Sequence, residues 1–206
     1  MPILLDERVI TLEFTDLFKR RPITRPDQPP RRADGLHQSG ILAYIARKIG
    51  KLKPDERDED EYPMIFAMGQ MWEEFIFSFY PEIVWQPGER SRDKIHVNCD
   101  GVTPGVQVEE AKATFKGVIT GDDFIDEPKQ WIWQHQGREY DYQYGYLQHR
   151  WHVFHVRGDY KSFGPVYKTY TVGFTDTEVK QTHDMLLLNA EAAAREGAEE
   201  RGRVLA

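Results

Sequence analysis

The chain has 206 residues, of which 40% are hydrophobic, 13% aromatic and 30% charged. That is globular composition with apolar mass for a real core, and it excludes collagen-like, mucin-like and wholly disordered chains. No apolar run nears the roughly 20 residues a membrane span needs, and the single cysteine, Cys99, excludes a disulfide framework or a cysteine-only metal cluster within one chain. The start, MPILLDERVITLEF, lacks a basic segment followed by an apolar run, so no signal peptide is expected and a cytoplasmic protein is. The net charge of −7 is uneven. Residues 1–53 hold 11 Lys/Arg against 6 Asp/Glu, a net of +5, which leaves −12 for the rest. An acidic body repels nucleic acid, whereas a basic arm on that body attracts it. A solvated surface of uneven charge explains the same numbers.

Along the chain, residues 19–34, KRRPITRPDQPPRRAD, read as an extended Pro/Arg-rich arm. Gln38 to Lys48 reads as a short helix with Ser39 near its start. Asp55 to Glu61 is a charge run, expected to be a solvated loop. Met64 to Tyr80 places Met68, Met71, Trp72, Phe75, Ile76 and Phe79 at spacings of three and four, one apolar helical stripe. Val84 to Gln86 and Lys94 to Asp100 read as strands, and Gly101 to Gly105 as a turn. Val106 to Phe115 reads as a strand with Val106, Val108, Glu110 and Lys112 on one face. A helix is expected over Pro128 to Leu147, interrupted at Gly137 and Gly145, then strands over Trp151 to Val156 and Tyr167 to Phe174. Thr175-Asp-Thr-Glu178 is a capping box that opens a last helix striped by Val179, Leu186, Leu187 and Ala190. The tail after Gly197 is expected to fray. This order implies an α/β or α+β domain with a mixed sheet.

The chemistry concentrates in Asp100 and Val108-Glu-Glu-Ala-Lys112. Residues 110 and 112 share a strand face, and the turn folds Asp100 back towards it. Converging carboxylates repel, and burying them uncompensated costs several kcal/mol. A hard divalent cation such as Mg²⁺ relieves both penalties and takes two carboxylates plus a phosphate readily. Lys112 then holds the attacking water or balances phosphate charge, which is metal-assisted phosphodiester hydrolysis. An acid–x–lysine triplet is also common on exposed strands. His149, His152 and His155 alternate faces on a strand and so do not share a metal. The aromatics between Trp131 and Trp151 are mainly core, with one or two available to stack on bases. Ser39 is either a plain N-cap or a phosphate contact at a helix start. There is no phosphate-binding G-x-x-x-x-G-K-[ST] run.

Asp100-x₉-Glu110-x-Lys112 resembles the core motif of the PD-(D/E)XK nuclease superfamily, and more narrowly its phage-type exonuclease and RecB-like branch. Gly69-Gln-Met-Trp-Glu73-Glu74 resembles that branch's first-helix motif, and Gln136-Gly-Arg-Glu-Tyr140 its Q-x₃-Y helix motif. Leu36-His-Gln-Ser39, Gly158-Asp159-Tyr160 and Phe174-Thr175 resemble further segments of phage members. Cys99 stands where the superfamily name has proline, and a lone cysteine cannot build the iron–sulfur cluster of Cas4-like members.

The resemblance implies a restriction-endonuclease-like core, a mixed sheet flanked by helices. It implies a domain over residues 35–196, with 1–34 as the arm and 197–206 as the tail. It implies an Mg²⁺-dependent DNA exonuclease, Mn²⁺ substituting, that acts in recombination or replication on DNA with a free end. A homo-oligomer and a single-strand annealing or recombination partner protein go with that reading. Asp100, Glu110, the Ala111 carbonyl and Glu73 (Glu74 as the alternative) would hold metal. Lys112, Gln136 and Tyr140 would assist, with Gln143 as the rival of Gln136. Arg20, Arg21, Arg31, Arg32 and Ser39 would contact DNA. A structure-specific or restriction-like endonuclease, or a non-catalytic nucleic-acid-binding protein on the same fold, are the alternatives.

Overall fold

The computed structural model describes residues 2–10, 36–52, 63–114, 117–156 and 165–204. The basic arm with Arg20, Arg21, Arg31 and Arg32, the acidic run and Gly158-Asp159-Tyr160 lie outside the described residues. In chain order the elements are β1 (Ile3–Ile10), β2 (Leu36–His37), α1 (Gln38–Lys48), α2 (Pro63–Phe77), β3 (Val84–Trp85), β4 (Arg90–Arg92), β5 (Ile95–Val97) and β6 (Gly101–Thr103). There follow β7 (Gln107–Thr114), α3 (Gly121–Ile125), α4 (Glu127–Tyr144), β8 (Gln148–His155), β9 (Val166–Gly173) and α5 (Asp176–Val204).

A six-stranded mixed sheet runs β1-β9-β8-β7-β6-β3, and a small sheet runs β2-β5-β4. In the large sheet β7 and β8 pair in parallel, with α3 and α4 crossing between them, and the other pairs are antiparallel. Helices cover both faces. On one, Trp72, Ile76 and Phe77 of α2 pack with Ile83 and Tyr167. On the other, Phe124 of α3 and Val179 of α5 pack on Trp151, Val153, Tyr170 and Val172. Trp151 is wholly buried, and an aromatic of this kind removes about 150–250 Å² from water, worth roughly 4–6 kcal/mol of transfer free energy. Leu186 of α5 seals a third cluster with Ile41, Leu42 and Ile45 of α1 and Ile95 of β5. The capping box forms as read: the Thr175 amide donates to Glu178 Oε2 at 2.9 Å and the Glu178 amide to Thr175 Oγ1 at 3.2 Å.

Several expectations are corrected. Ile3–Ile10 is no part of an arm but the edge strand of the large sheet, paired with β9. Gly101–Thr103 is a strand, not a turn, and the chain turns at residues 104–106 instead. Gly101 is there because a Cβ would lie 2.7 Å from Ile83 Cγ2. Ile95–Val97 joins the small sheet, so Asp100 sits where the chain leaves one sheet for the other. Met71 of α2 is 69% exposed, and Phe77 takes its place in the buried stripe. The N-cap of α1 is His37, whose side chain accepts from the Ser39 amide. α5 continues to Val204, beyond Gly197. Gly137 does not interrupt α4; the irregular residue is Gln130, and the helix closes on left-handed Gly145.

A Cβ at Gly137 would lie 2.5 Å from Cζ2 of the immobile Trp151 ring. Gly137→Ala should therefore lower the melting temperature, since overpacking costs about 1–3 kcal/mol against a helix-propensity gain of about 1 kcal/mol. Gly40→Ala in α1, where nothing lies within 4 Å of the new Cβ, should raise it; equal shifts at both sites would refute the steric account. A second expectation concerns His183 of α5, buried between Glu139 of α4 (3.0 Å) and Asp93 (3.1 Å). Burial pulls its pKa down, but the Glu139 and Asp93 bonds outweigh burial and raise it. Its contribution to stability is then complete below the unfolded value of about 6.5 and is lost as pH rises through the folded value. Thermal melts from pH 5 to 9 should show that decline, and His183→Gln should flatten it.

Candidate active site

The site grows from the period of β7. Val108, Glu110 and Lys112 point to the α4 side, where Val108 packs with Tyr140, and Ala111 points to the α2 side against the Trp72 cluster. The β6–β7 ladder ends with Gly101 opposite Glu109. Just past that end, Asp100 Oδ2 accepts the Ala111 amide at 2.8 Å, a side chain standing in for a backbone partner. The Asp100 carbonyl accepts the Gln86 amide at 2.8 Å, which fixes the other side of the residue. Asp100 and Glu110 are thereby held together where the strands part.

Glu110 is 2% exposed. Its Oε1 accepts from Lys112 Nζ, and its Oε2 is buried with no hydrogen-bond partner. Burial, then Glu110 and Glu73, push the Asp100 carboxyl well above the usual carboxylate range. Burial would lower Lys112, but Glu110 and Asp100 outweigh it and hold the ammonium charged. Glu73 of α2 joins this group, its Oε1 accepting from Trp85 Nε1 at 2.6 Å and Gln86 Nε2 at 3.1 Å. On the α4 side Gln136 Nε2 donates to the Tyr140 hydroxyl at 2.9 Å. Burial first, then Glu110 and Asp100, push the Tyr140 phenol up. Gln143 donates instead to Glu139, in the His183 cluster. Ser39 is exposed at the start of α1, its Oγ 2.9 Å from His37 Nδ1, while neighbouring Gln38 donates to the Gln136 carbonyl at 2.9 Å.

The structure thus brings Asp100, Glu110, Lys112 and Glu73 into one electrostatic group with Tyr140 and Gln136 beside it. His149 and His152 lie on opposite faces, His149 on Asp141 at 3.1 Å and His152 on Glu109 at 3.0 Å. Sequence reasoning missed Trp85 and Gln86, which orient Glu73, and passed over Glu109. Glu109 is fully buried on the α2 side. It accepts two 2.8 Å bonds from Arg150 and further bonds from His152, Thr103 and Gln107. Burial would raise it, but the His152 and Arg150 contacts prevail and hold it down at about 2. Only the parallel register of Glu109 with Arg150 reveals this pair, and that register belongs to the sheet, not to either strand alone.

Among the described residues no group of three or more His, Cys, Asp and Glu side chains forms a ready-made metal cage. The donor set nevertheless fits a hard cation. An orphaned buried carboxylate oxygen and a second carboxyl raised by burial both gain from one, and Mg²⁺ binds through one or two carboxylates while keeping waters.

No family model and no curated protein matches the chain. Among solved structures, an alkaline exonuclease from Laribacter hongkongensis is 10% identical, covering 85% of this chain and 96% of that one with a TM-score of 0.47. A phage-related exonuclease from Haemophilus somnus 129PT is 10% identical over 94% and 97%, with a TM-score of 0.46. The Laribacter enzyme in complex with dAMP scores 0.45, at 10% identity over 84% and 95%. These are likenesses of outline; what the site can do follows from its own carboxylates and lysine.

The repulsion at Asp100 yields a test that needs no activity. Asn at this position keeps an oxygen for the Ala111 amide and removes the charge. In EDTA, Asp100→Asn should melt at or above wild type. Mg²⁺ should raise the wild-type melting temperature, by about 2.7 kcal/mol of added stability at a hundredfold excess over Kd, and leave the variant unmoved. Equal Mg²⁺ shifts in both proteins would remove Asp100 from the ligand set.

Proposed function

We propose that the chain is an Mg²⁺-dependent deoxyribonuclease of the phage-exonuclease kind, which hydrolyses phosphodiester bonds at a free DNA end, with Mn²⁺ as a substitute. The observation that carries this reading is the pairing of Asp100 with Glu110 beside a charged Lys112, one Glu110 oxygen buried and unbonded. Asp100, Glu110 and the Ala111 carbonyl would hold the ion, with Glu73 reaching it directly or through water. Bound there, the ion would polarise a phosphoryl oxygen and acidify a water.

The chain's own groups supply the rest. Lys112 keeps its proton, so it cannot serve as general base; it donates to the attacking water or to a phosphate oxygen. Tyr140 likewise stays protonated and donates to a carboxylate or a phosphate, oriented by Gln136. Glu73, tied to Trp85 and Gln86, is held on the Asp100 side of the site. Residues 35–196 together with β1 form the nuclease domain in this reading. The arm with Arg20, Arg21, Arg31 and Arg32, and Ser39, contact phosphates. A homo-oligomer, an annealing or recombination partner protein and a cytoplasmic location complete it. Among the described residues no helix is long and apolar enough to cross a membrane.

The experiment is digestion of end-labelled linear duplex beside a covalently closed circle of the same sequence. With Mg²⁺ the linear duplex should be degraded and the circle left intact; EDTA should stop the reaction. Glu110→Gln and Lys112→Ala should each lose about 10³-fold in rate, the worth of several kcal/mol of transition-state stabilisation. Equal cutting of the circle would make the enzyme an endonuclease. Full activity of Glu110→Gln would remove this site from the chemistry.

A further inference from the structure

The hairpin of β4 and β5 carries a charge arrangement outside the catalytic group. β4 is the edge strand of the small sheet, and Arg90, Ser91 and Arg92 are all exposed. Arg90 and Arg92 are two residues apart, so both project from one side of the strand, about 7 Å apart. Each guanidinium lies over a tyrosine ring of α4: Arg90 at 5.4 Å from the Tyr144 centroid and Arg92 at 4.6 Å from that of Tyr142. Neither is paired with a carboxylate among the described residues. The hairpin's own acids are engaged elsewhere, Glu89 with His96 and Asp93 with His183.

Stacking on a ring fixes the plane of a guanidinium and leaves its edge N–H groups free, and those edges form a fork that matches phosphate oxygens. The row also has a fixed relation to the catalytic group. Tyr140 and Tyr144 lie one helical turn apart on one face of α4, about 6 Å along its axis. Tyr140 feels Glu110 and Asp100, while Tyr144 donates to the Gly88 carbonyl and interacts with Cys99, the residue before Asp100. From the acid pair the path therefore runs by Tyr144 to Arg90 and then, two residues on along β4, to Arg92.

We infer that Arg90 and Arg92, braced on Tyr144 and Tyr142, form a phosphate track that holds the DNA strand next to the Asp100–Glu110 site. This inference rests on the nuclease reading. The test is equilibrium binding of a labelled duplex by anisotropy in EDTA, where no cleavage proceeds, from 50 to 200 mM salt. Two phosphate contacts contribute a log–log slope of about −1.8, so the wild-type advantage over Arg90→Ala/Arg92→Ala should shrink by about tenfold across that range. Arg90→Lys/Arg92→Lys, which keeps both charges, should restore the slope. Melting curves report whether the alanine variant is folded. If it is unfolded, the Lys pair and the charge-reversing Arg90→Glu carry the test, the latter being expected to weaken binding further at low salt. A folded alanine variant with wild-type affinity and slope overturns the track while leaving the nuclease reading intact. A wild-type protein that neither binds nor cuts DNA overturns both.

Discussion

Two carboxylates are forced together at the point where β6 and β7 part, and much of the local structure exists to hold them there. The Ala111 amide grips Asp100 from β7, and the Gln86 amide grips its carbonyl from the β3 side. Gly101 lets β6 press against Ile83 so that Asp100 reaches the edge at all. A larger residue at 101 would push the strand away and take the aspartate with it. Burial and repulsion from Glu110 strain this spot in the sheet, and Lys112 offsets only part of it.

Adjacent residues of one strand show what comfort looks like. Glu109 is as buried as Glu110, yet every demand of its carboxylate is met, by Arg150, His152, Thr103 and Gln107. Glu110 has one lysine and a buried oxygen with nothing on it. A fully bonded buried acid is architecture; removing Arg150 would take away the one guanidinium that pairs with its charge. An acid left incomplete in the same sheet, beside a second one, is what singles this place out as the candidate site. The two-residue period of β7 sends the complete acid to one face and the incomplete one to the other.

That period was legible in the sequence, and so was the grouping of these side chains, because Glu110 and Lys112 share a face on any strand and a short connection returns Asp100. The capping box at Thr175–Glu178 and the bounds of α1 were legible for the same reason: they are local. What escaped depends on partners far along the chain. Ile3–Ile10 carries Asp6, Glu7 and Arg8 at its centre and looks like surface until Lys168 of β9 takes Glu7. Glu109 looks like a spare acid until β8 lies parallel to β7. Gly137 looks like a helix breaker, yet it is the space that the Trp151 ring needs. In each case local propensity was overruled by a contact more than ten residues away.

Helix α4 shows why such contacts matter to chemistry. It buries Gln134, Arg138, Glu139 and Asp141, polar residues that give it no clean apolar stripe. Each has a directional partner: the Phe124 carbonyl, Glu127, His183 and His149. The attraction of an apolar stripe to its core has no preferred direction, whereas hydrogen bonds weaken steeply once misaligned. Four such bonds around the helix, with Trp151 wedged at Gly137, fix its rotation. That rotation is what aims Gln136, Tyr140 and Tyr144 along one line, the first two beside the acid pair and the third beneath Arg90. The polar core of α4 is therefore the device that keeps the Asp100–Glu110 pair and the basic hairpin in register.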